Sequence, residues 1–188
     1  MFCPAPRPRN AEATRAAILN AARERFAVQS YDEVGMRDVA RDVGVDAALV
    51  SRYFGSKEDL FEAVLDSCDN SQLMLSVPRE NFGEHIANEV IFQPKNEDKL
   101  KALMILLRSI SSAKGMEIVQ RGANTRIHGP FAEWVGGDDA AVKARLAAGF
   151  IMGMAIGREV TGGYGMDDAQ CRRMAAKMAV YLQEMIDG

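Results

Sequence analysis

The sequence predicts an all-α protein with a three-helix, helix-turn-helix head and a helical-bundle body, and three observations lead to that prediction. Apolar residues recur at three- and four-residue spacing over most of the 188 positions. Nothing in the C-terminal part alternates with the two-residue period of a strand. Residues 36–57 carry the punctuation of two short helices and the start of a third. The length suffices for a small head on a larger body.

The first residues, Met-Phe-Cys-Pro-Ala-Pro-Arg-Pro-Arg, are proline-rich and predict an extended, flexible arm over residues 1–10. Arg7 and Arg9 could reach phosphates or a minor groove, or the arm could be a plain tail. Ile18, Ala22 and Phe26 recur every fourth residue with Leu19 beside them, predicting an amphipathic helix from Ala11 to Gln29. After a turn at Tyr31 comes the helix pair. Ala40 offers the small side chain that a steep helix crossing needs, and Gly44 accepts positive φ in the turn. Val39, Val43, Val45 and Val50, with Leu49 or Phe54, can close a miniature core between the two helices. Asp46 is placed to cap a second helix from Ala47 to Tyr53. Ser56 with Asp59 forms a capping box for a further helix, Lys57 to about Ser71, carrying Leu60, Phe61, Val64 and Leu65.

The body reads as helices near Phe82–Phe92, Asp98–Ser112, Met116–Val135, Asp139–Val160 and Asp167–Ile186. Breaks are predicted at Pro78, Pro94, Lys114-Gly115, Gly136-Gly137 and residues 162–165, and Pro130 should kink or split its helix. Gly149, Gly153 and Gly157 recur every fourth residue, each costing about 1 kcal/mol of helix stability relative to alanine. Three things could offset that cost: close approach of a second subunit, room for a ligand, or tight packing within one subunit. Met104, Leu107, Ile110, Ile118, Phe131, Trp134, Phe150 and Met154 supply adaptable apolar side chains that suit either an ordinary core or a small-molecule pocket. In a pocket, Arg108, His128 or Arg126 could orient a polar or anionic ligand.

The head resembles the N-terminal DNA-binding domain of the tetracycline-repressor (TetR) family. The resemblance is carried by Ile18, Leu19, Ala22, Phe26, Tyr31, Arg37, Asp38, Val39, Ala40, Gly44, Val45, Tyr53, Phe54, Ser56, Lys57 and Leu60, roughly the first third of the chain. It implies a DNA-binding domain over residues 11–57 and a ligand-binding and dimerisation domain over residues 58–188. It also implies double-stranded operator DNA, a small-molecule effector of unknown identity and a second copy of the chain as partners. The stretch around Gly149, Gly153, Ala155 and Arg158 loosely resembles the dimerising end of one TetR subgroup, which makes the three glycines candidates for the dimer interface.

Residues at the family's DNA-contact positions are Arg37, Asp46, Ala47, Ala48, Leu49, Ser51, Arg52, Tyr53 and Lys57. Gly35 stands where the family usually has Ser or Thr, so Arg37 becomes the phosphate contact there. Ala47, Ala48 and Leu49 would touch thymine methyls or permit close approach, and Ser51 lacks the phosphate anchor of the tyrosine often found at its position. Tyr53 could bond a phosphate. Arg52 is a candidate for bidentate reading of a guanine, unless it pairs with Asp46 or another acid. Lys57, at a helix N-terminus, should grip the DNA backbone.

Charge and composition agree with this division. Residues 1–57 carry a net +2 and residues 58–188 a net −5, so nonspecific attraction to phosphate is modest and two heads are needed for useful affinity. Cys3, Cys68 and Cys171 lack paired or metal-ligand spacing, which predicts a reduced, cytoplasmic compartment, and the family resemblance implies a bacterial, nucleoid-associated protein. No apolar run is long enough to suggest a membrane span, and no apolar signal core opens the chain. His85 and His128 complete no metal motif, and no nucleophile elbow, phosphate loop or dinucleotide fingerprint is present. No catalytic residue, metal or cofactor is expected. A transcriptional repressor is predicted, with a nucleoid or division factor and an enzyme on a helical bundle as alternatives.

Overall fold

The computed structural model describes residues 8–69, 74–94 and 96–188. In chain order the helices are α1 (Pro8–Val28), α2 (Met36–Val43), α3 (Ala47–Phe54), α4 (Lys57–Ser67), α5 (Phe82–Phe92), α6 (Glu97–Ser109), α7 (Ala113–Ala123), α8 (Gly129–Val135), α9 (Ala140–Val160) and α10 (Asp168–Asp187). Among the described residues there is no strand.

The predicted arm is corrected at its end. Helix α1 begins at Pro8 rather than Ala11, because proline at a first helical position lacks only an N–H that would have no intrahelical partner. Cys3 and Arg7 lie outside the described residues. The predicted break at Lys114-Gly115 is also corrected. Ser112 caps α7 by accepting from the Gly115 amide at 3.0 Å, and Gly115 sits buried inside the first turn. A Cβ there would stand 2.8 Å from Tyr31 Cβ, so this glycine serves close packing rather than a turn.

The chain divides into two compact units, Met1–Cys68 with Lys101–Gly122, and Asp69–Leu100 with Ala123–Gly188. The first therefore holds α1–α4 and also most of α6 and α7, beyond the predicted head. Its core contains Ile18, Ala22, Phe26, Val39, Val50, Phe54, Leu60, Phe61 and Val64. At its centre Phe26, Tyr31 and Phe61 form an aromatic triangle with centroids 4.7 to 6.2 Å apart. Polar contacts tie helices together around it. Arg25 forks onto Asp42, with its terminal nitrogen 2.8 Å from Oδ1, and Arg108 Nε donates to the Ala27 carbonyl at 2.9 Å. Arg121 bonds Glu58 at 2.6 Å and also Glu62, while Lys114 pairs with Glu58 at 3.0 Å. These cations hold the Glu58 carboxyl below the ordinary carboxylate range.

The second unit packs α5 against α10, with Phe82, Ile86, Phe131, Ala144, Ala147, Met178, Leu182 and Ile186 in its core. Arg79 donates to the Val135 and Ile186 carbonyls, satisfying free acceptors at the ends of α8 and α10. Arg158 does the same for α5, reaching the Val90 carbonyl at 2.9 Å and Gln93 at 2.7 Å.

Pro130 splits its helix as expected. Asn124–His128 form a π-turn in which the Gly129 amide donates to the Asn124 carbonyl, one residue beyond the α-helical acceptor. Pro130 has no N–H to give the Arg126 carbonyl, and a Cβ on Gly129 would lie 2.7 Å from the Asn124 oxygen. Helix α9 is the most apolar long helix among the described residues, with mean hydropathy 1.4 over its best window, of which 11% is buried; length and composition of a single helix do not make it a membrane span.

Gly83 marks the tightest point of the α5–α10 crossing, where an added Cβ would collide with the Ala179 carbonyl oxygen. Gly83→Ala is expected to cost about 1 to 3 kcal/mol of unfolding free energy in urea titration. A variant as stable as the parent would show that the helices can part there without loss.

Candidate functional site

The helix pair α2–α3 is set by its turn. Gly44 adopts φ 73° and ψ 33°, and its amide donates to the Ala40 and Arg41 carbonyls. The Val45 amide returns to the Ala40 carbonyl at 3.0 Å, completing a glycine-capped helix end. Gly35 begins α2 without a side-chain cap. Asp46 caps α3, accepting from the Ala48 amide at 2.7 Å, so its carboxylate is engaged in the fold and does not pair with Arg52. The Ser56–Asp59 capping box forms as predicted, with the Ser56 amide 2.8 Å from Asp59 Oδ2 and the Asp59 amide 3.1 Å from Ser56 Oγ.

Asp46, Ala48, Ser51 and Arg52 are exposed on α3, whereas Ala47, Leu49 and Tyr53 are half-buried. The cations of the head fall into two groups. Arg25 and Arg41 are held by Asp42 and Asp38, Arg15 lies 4.7 Å above the Phe54 ring, and Lys57 lies 4.4 Å above the Tyr31 ring. Lys57 also approaches the Asp32 carbonyl at 3.4 Å, and burial lowers its pKa against a smaller opposing effect of Asp32. Arg37 and Arg52 are exposed and make no ion pair among the described residues. Two uncommitted guanidinium groups therefore sit on the helix pair, one on each helix, available to an external anion.

The predicted ligand-binding residues do not gather in one unit. Met104, Leu107, Arg108 and Ile118 belong to the first, and His128, Phe131, Trp134, Phe150 and Met154 to the second. Ile118 and Phe131 are fully buried core residues, and Arg108 donates from Nε to the Ala27 carbonyl. The second unit carries two grooves. One, of about 500 Å³, lies along α9 and α10 and includes Phe150 and Met154 with Met174, Met178, Arg173 and Lys177. The other, of about 570 Å³, is bordered by Thr125, Arg126, Pro130, Glu133 and Trp134, with Asp69 and Leu75. Sequence reasoning missed Arg173 and Lys177. Their spacing, four apart beside Met174 and Met178, carried the available signal. No group of three His, Cys, Asp or Glu among the described residues could hold a metal ion.

The glycine repeat lies on open surface. At Gly149, Gly153 and Gly157 an added Cβ meets nothing within 4 Å, so packing within the chain does not require them. Val142, Leu146, Met152 and Val160 are exposed on the same helix, with Val180 and Tyr181 exposed on α10.

A sequence profile described as bacterial regulatory proteins, tetR family, matches residues 18–64. A second, described as tetracyclin repressor-like, C-terminal domain, matches residues 80–186, more than half of the chain. Among solved structures, NalD of Pseudomonas aeruginosa, the secondary repressor of the MexAB-OprM multidrug efflux pump, is similar at 19% identity. It covers 90% of this chain and 95% of its own, with a TM-score of 0.68. GusR of Salmonella enterica is similar at 17% identity over 94% of this chain and 96% of its own, with a TM-score of 0.70. A TetR-family regulator of Streptomyces coelicolor A3 is similar at 24% identity over 98% of this chain and 100% of its own, with a TM-score of 0.60. At these identities the solved structures establish the fold. No curated protein matches the chain.

The cap assigned to Asp46 separates a folding role from base reading. Asp46→Ala is expected to cost about 1 kcal/mol in urea unfolding, and Asp46→Asn only a few tenths, since asparagine caps nearly as well. Equal losses in the two variants would contradict the cap.

Proposed function

Since the chain belongs to the TetR family of bacterial transcriptional regulators, we propose that it is a repressor, bound to a pseudopalindromic operator as a dimer and released by a small-molecule effector. Residues 11–57 contact DNA, and residues 58–188 bind the effector and the second copy. The observation that carries this reading is the pair Arg37 and Arg52, exposed and unpaired while Arg25 and Arg41 beside them are held in ion pairs. Helix α3 enters the major groove. Arg52 reads a guanine there, while Ala48 and Ser51 form a small surface that lets the helix approach thymine methyls. Arg37, near the start of α2, takes a phosphate. Lys57 contributes less than its position alone suggests, because its ammonium lies on the Tyr31 ring.

The second copy covers α9 and α10. Three glycines that nothing within the chain requires, on an apolar helix that exposes Val142, Leu146, Met152 and Val160, support that occupant. Two heads held by such an interface can meet successive major grooves, and an effector that favours another head separation releases them. The groove beside Arg126 and Trp134 is the proposed effector site, with an aromatic wall and charged groups at its border.

Competition binding over operator variants at two salt concentrations tests the contact assignment. Arg52→Ala should relax preference at one base pair at a cost of about 1 to 3 kcal/mol. Arg37→Ala should weaken all sites alike and lower the salt slope by about one. Matching profiles for the two variants would contradict the assignment.

Gly153→Leu tests the interface. Sedimentation should shift toward monomer and operator affinity should fall, while the monomer unfolds no earlier than the parent. A dimer of undiminished strength would move the interface elsewhere.

A further inference from the structure

We propose that the methionine-lined groove between α9 and α10 binds an amphipathic organic anion, with its apolar body along the methionines and its acidic head on Arg173 and Lys177. This site is separate from the groove beside Trp134 and rests on its own chemistry.

Helix α10 turns one face to the groove. Arg173, Lys177 and Tyr181 recur every fourth residue along it, with Met174 and Met178 in the neighbouring row. Phe150 and Met154, also four apart, come from α9. Met178 is buried, and Met174, Phe150 and Met154 are half-buried, so the floor is apolar and held by the fold. The Tyr181 ring stands edge-on to Phe150, with centroids 6.5 Å apart. The space is about 500 Å³, within the size range of small-molecule sites. Unbranched, polarisable methionine side chains let such a floor adapt to an alkyl chain or a ring.

The charge at the border has one sign. Arg173 and Lys177 are exposed, and their side chains make no ion pair or hydrogen bond among the described residues. Like charges four apart on a helix repel, and no carboxylate among the lining residues offsets them. Arg79 and Arg158 of the same unit are by contrast engaged, the first with Asp187 and the second with two backbone carbonyls. An acidic head group would accept a fork of hydrogen bonds from Arg173 and the point charge of Lys177. A cationic amphiphile would be repelled by the same pair. The Trp134 groove differs, since Asp69 and Glu133 border it along with Arg126.

Two exposed cations by themselves hold a small anion weakly. Burial of an apolar body against the methionine floor supplies the rest of the affinity, so the ligand needs both parts.

Dodecanoate, kept below its micellar concentration, is the probe. It is titrated into the full chain by calorimetry beside dodecyltrimethylammonium and acetate. Dodecanoate should saturate at one per chain and bind at least about tenfold more tightly than the cation of equal chain length, and acetate should not saturate. Replacing Arg173→Gln and Lys177→Gln together, both at exposed positions, should weaken dodecanoate at least about tenfold, the loss of one charge-assisted hydrogen bond. Equal affinity for anion and cation, or a double variant that binds like the parent, would overturn the site. Capture of the chain by anionic phospholipid vesicles, with no saturable binding of the monomeric probe, would also overturn it and mark a membrane surface instead. The comparison of probes uses the parent chain, so it decides the matter even if the variant does not fold.

The groove lies on the two helices proposed above to meet the second copy, and sedimentation keeps the two readings apart. A monomer that binds one dodecanoate per chain would contradict the interface and support the site. A dimer that binds none would do the reverse.

Discussion

The left-handed turn at Gly44 is the constraint on which the rest of the head depends. A side chain with a β-carbon would resist φ 73° there, and without that turn α3 could not leave α2 at an angle that buries Val50 and Phe54 while exposing Ala48, Ser51 and Arg52. The neighbouring devices serve the same placement. Ala40 keeps the crossing close, Asp46 starts α3, and the Ser56–Asp59 box starts α4 at once, so little chain between Gly44 and Leu60 is free of a cap or a helix. The recognition surface is thus held by backbone hydrogen bonds at both ends of α3 and by core side chains beneath it.

Glycine serves three distinct roles in this chain. At Gly44 it supplies a backbone conformation. At Gly83 and Gly115 it supplies closeness, since a Cβ would meet Ala179 or Tyr31 within the same unit. At Gly149, Gly153 and Gly157 neither reason applies, and the surface around them is apolar and open. Helix α9 is accordingly long and apolar while only 11% of its most apolar window is buried, the feature on which the proposed second copy rests. The units also divide the chain differently from a head followed by a body. Two helices of the C-terminal part complete the core of the DNA-binding unit, with Ile105 and Ile118 buried beside Phe61.

How much of this was legible in the sequence followed the range of the interactions. Ala40, Gly44, Asp46 and the Ser56–Asp59 box act within a few residues of themselves, and each does what its spacing predicts. Pro130 likewise split its helix, through the hydrogen bond it cannot donate. Gly115 was misread as a break because its reason is Tyr31, 84 positions away. The bond from Arg108 Nε to the Ala27 carbonyl was not legible, because its partner lies on another helix. Ile118 and Phe131 shared a spacing that suits core and pocket alike, and packing made both of them core. The contact positions proposed on α3 come from the family resemblance alone. What the structure adds is the distinction between committed and uncommitted charge, with Arg37 and Arg52 exposed and outside the ion pairs that hold Arg25 and Arg41.

The central claim is that two copies of this chain present α3 to successive major grooves of one site. Hydroxyl-radical footprinting of the purified chain on DNA flanking its own gene tests it most directly. The account predicts two protected patches on one face of the duplex, centred about one helical turn, roughly 10 base pairs, or a multiple of that apart, and related by an imperfect palindrome. A single isolated patch, or uniform protection without phasing, would contradict it.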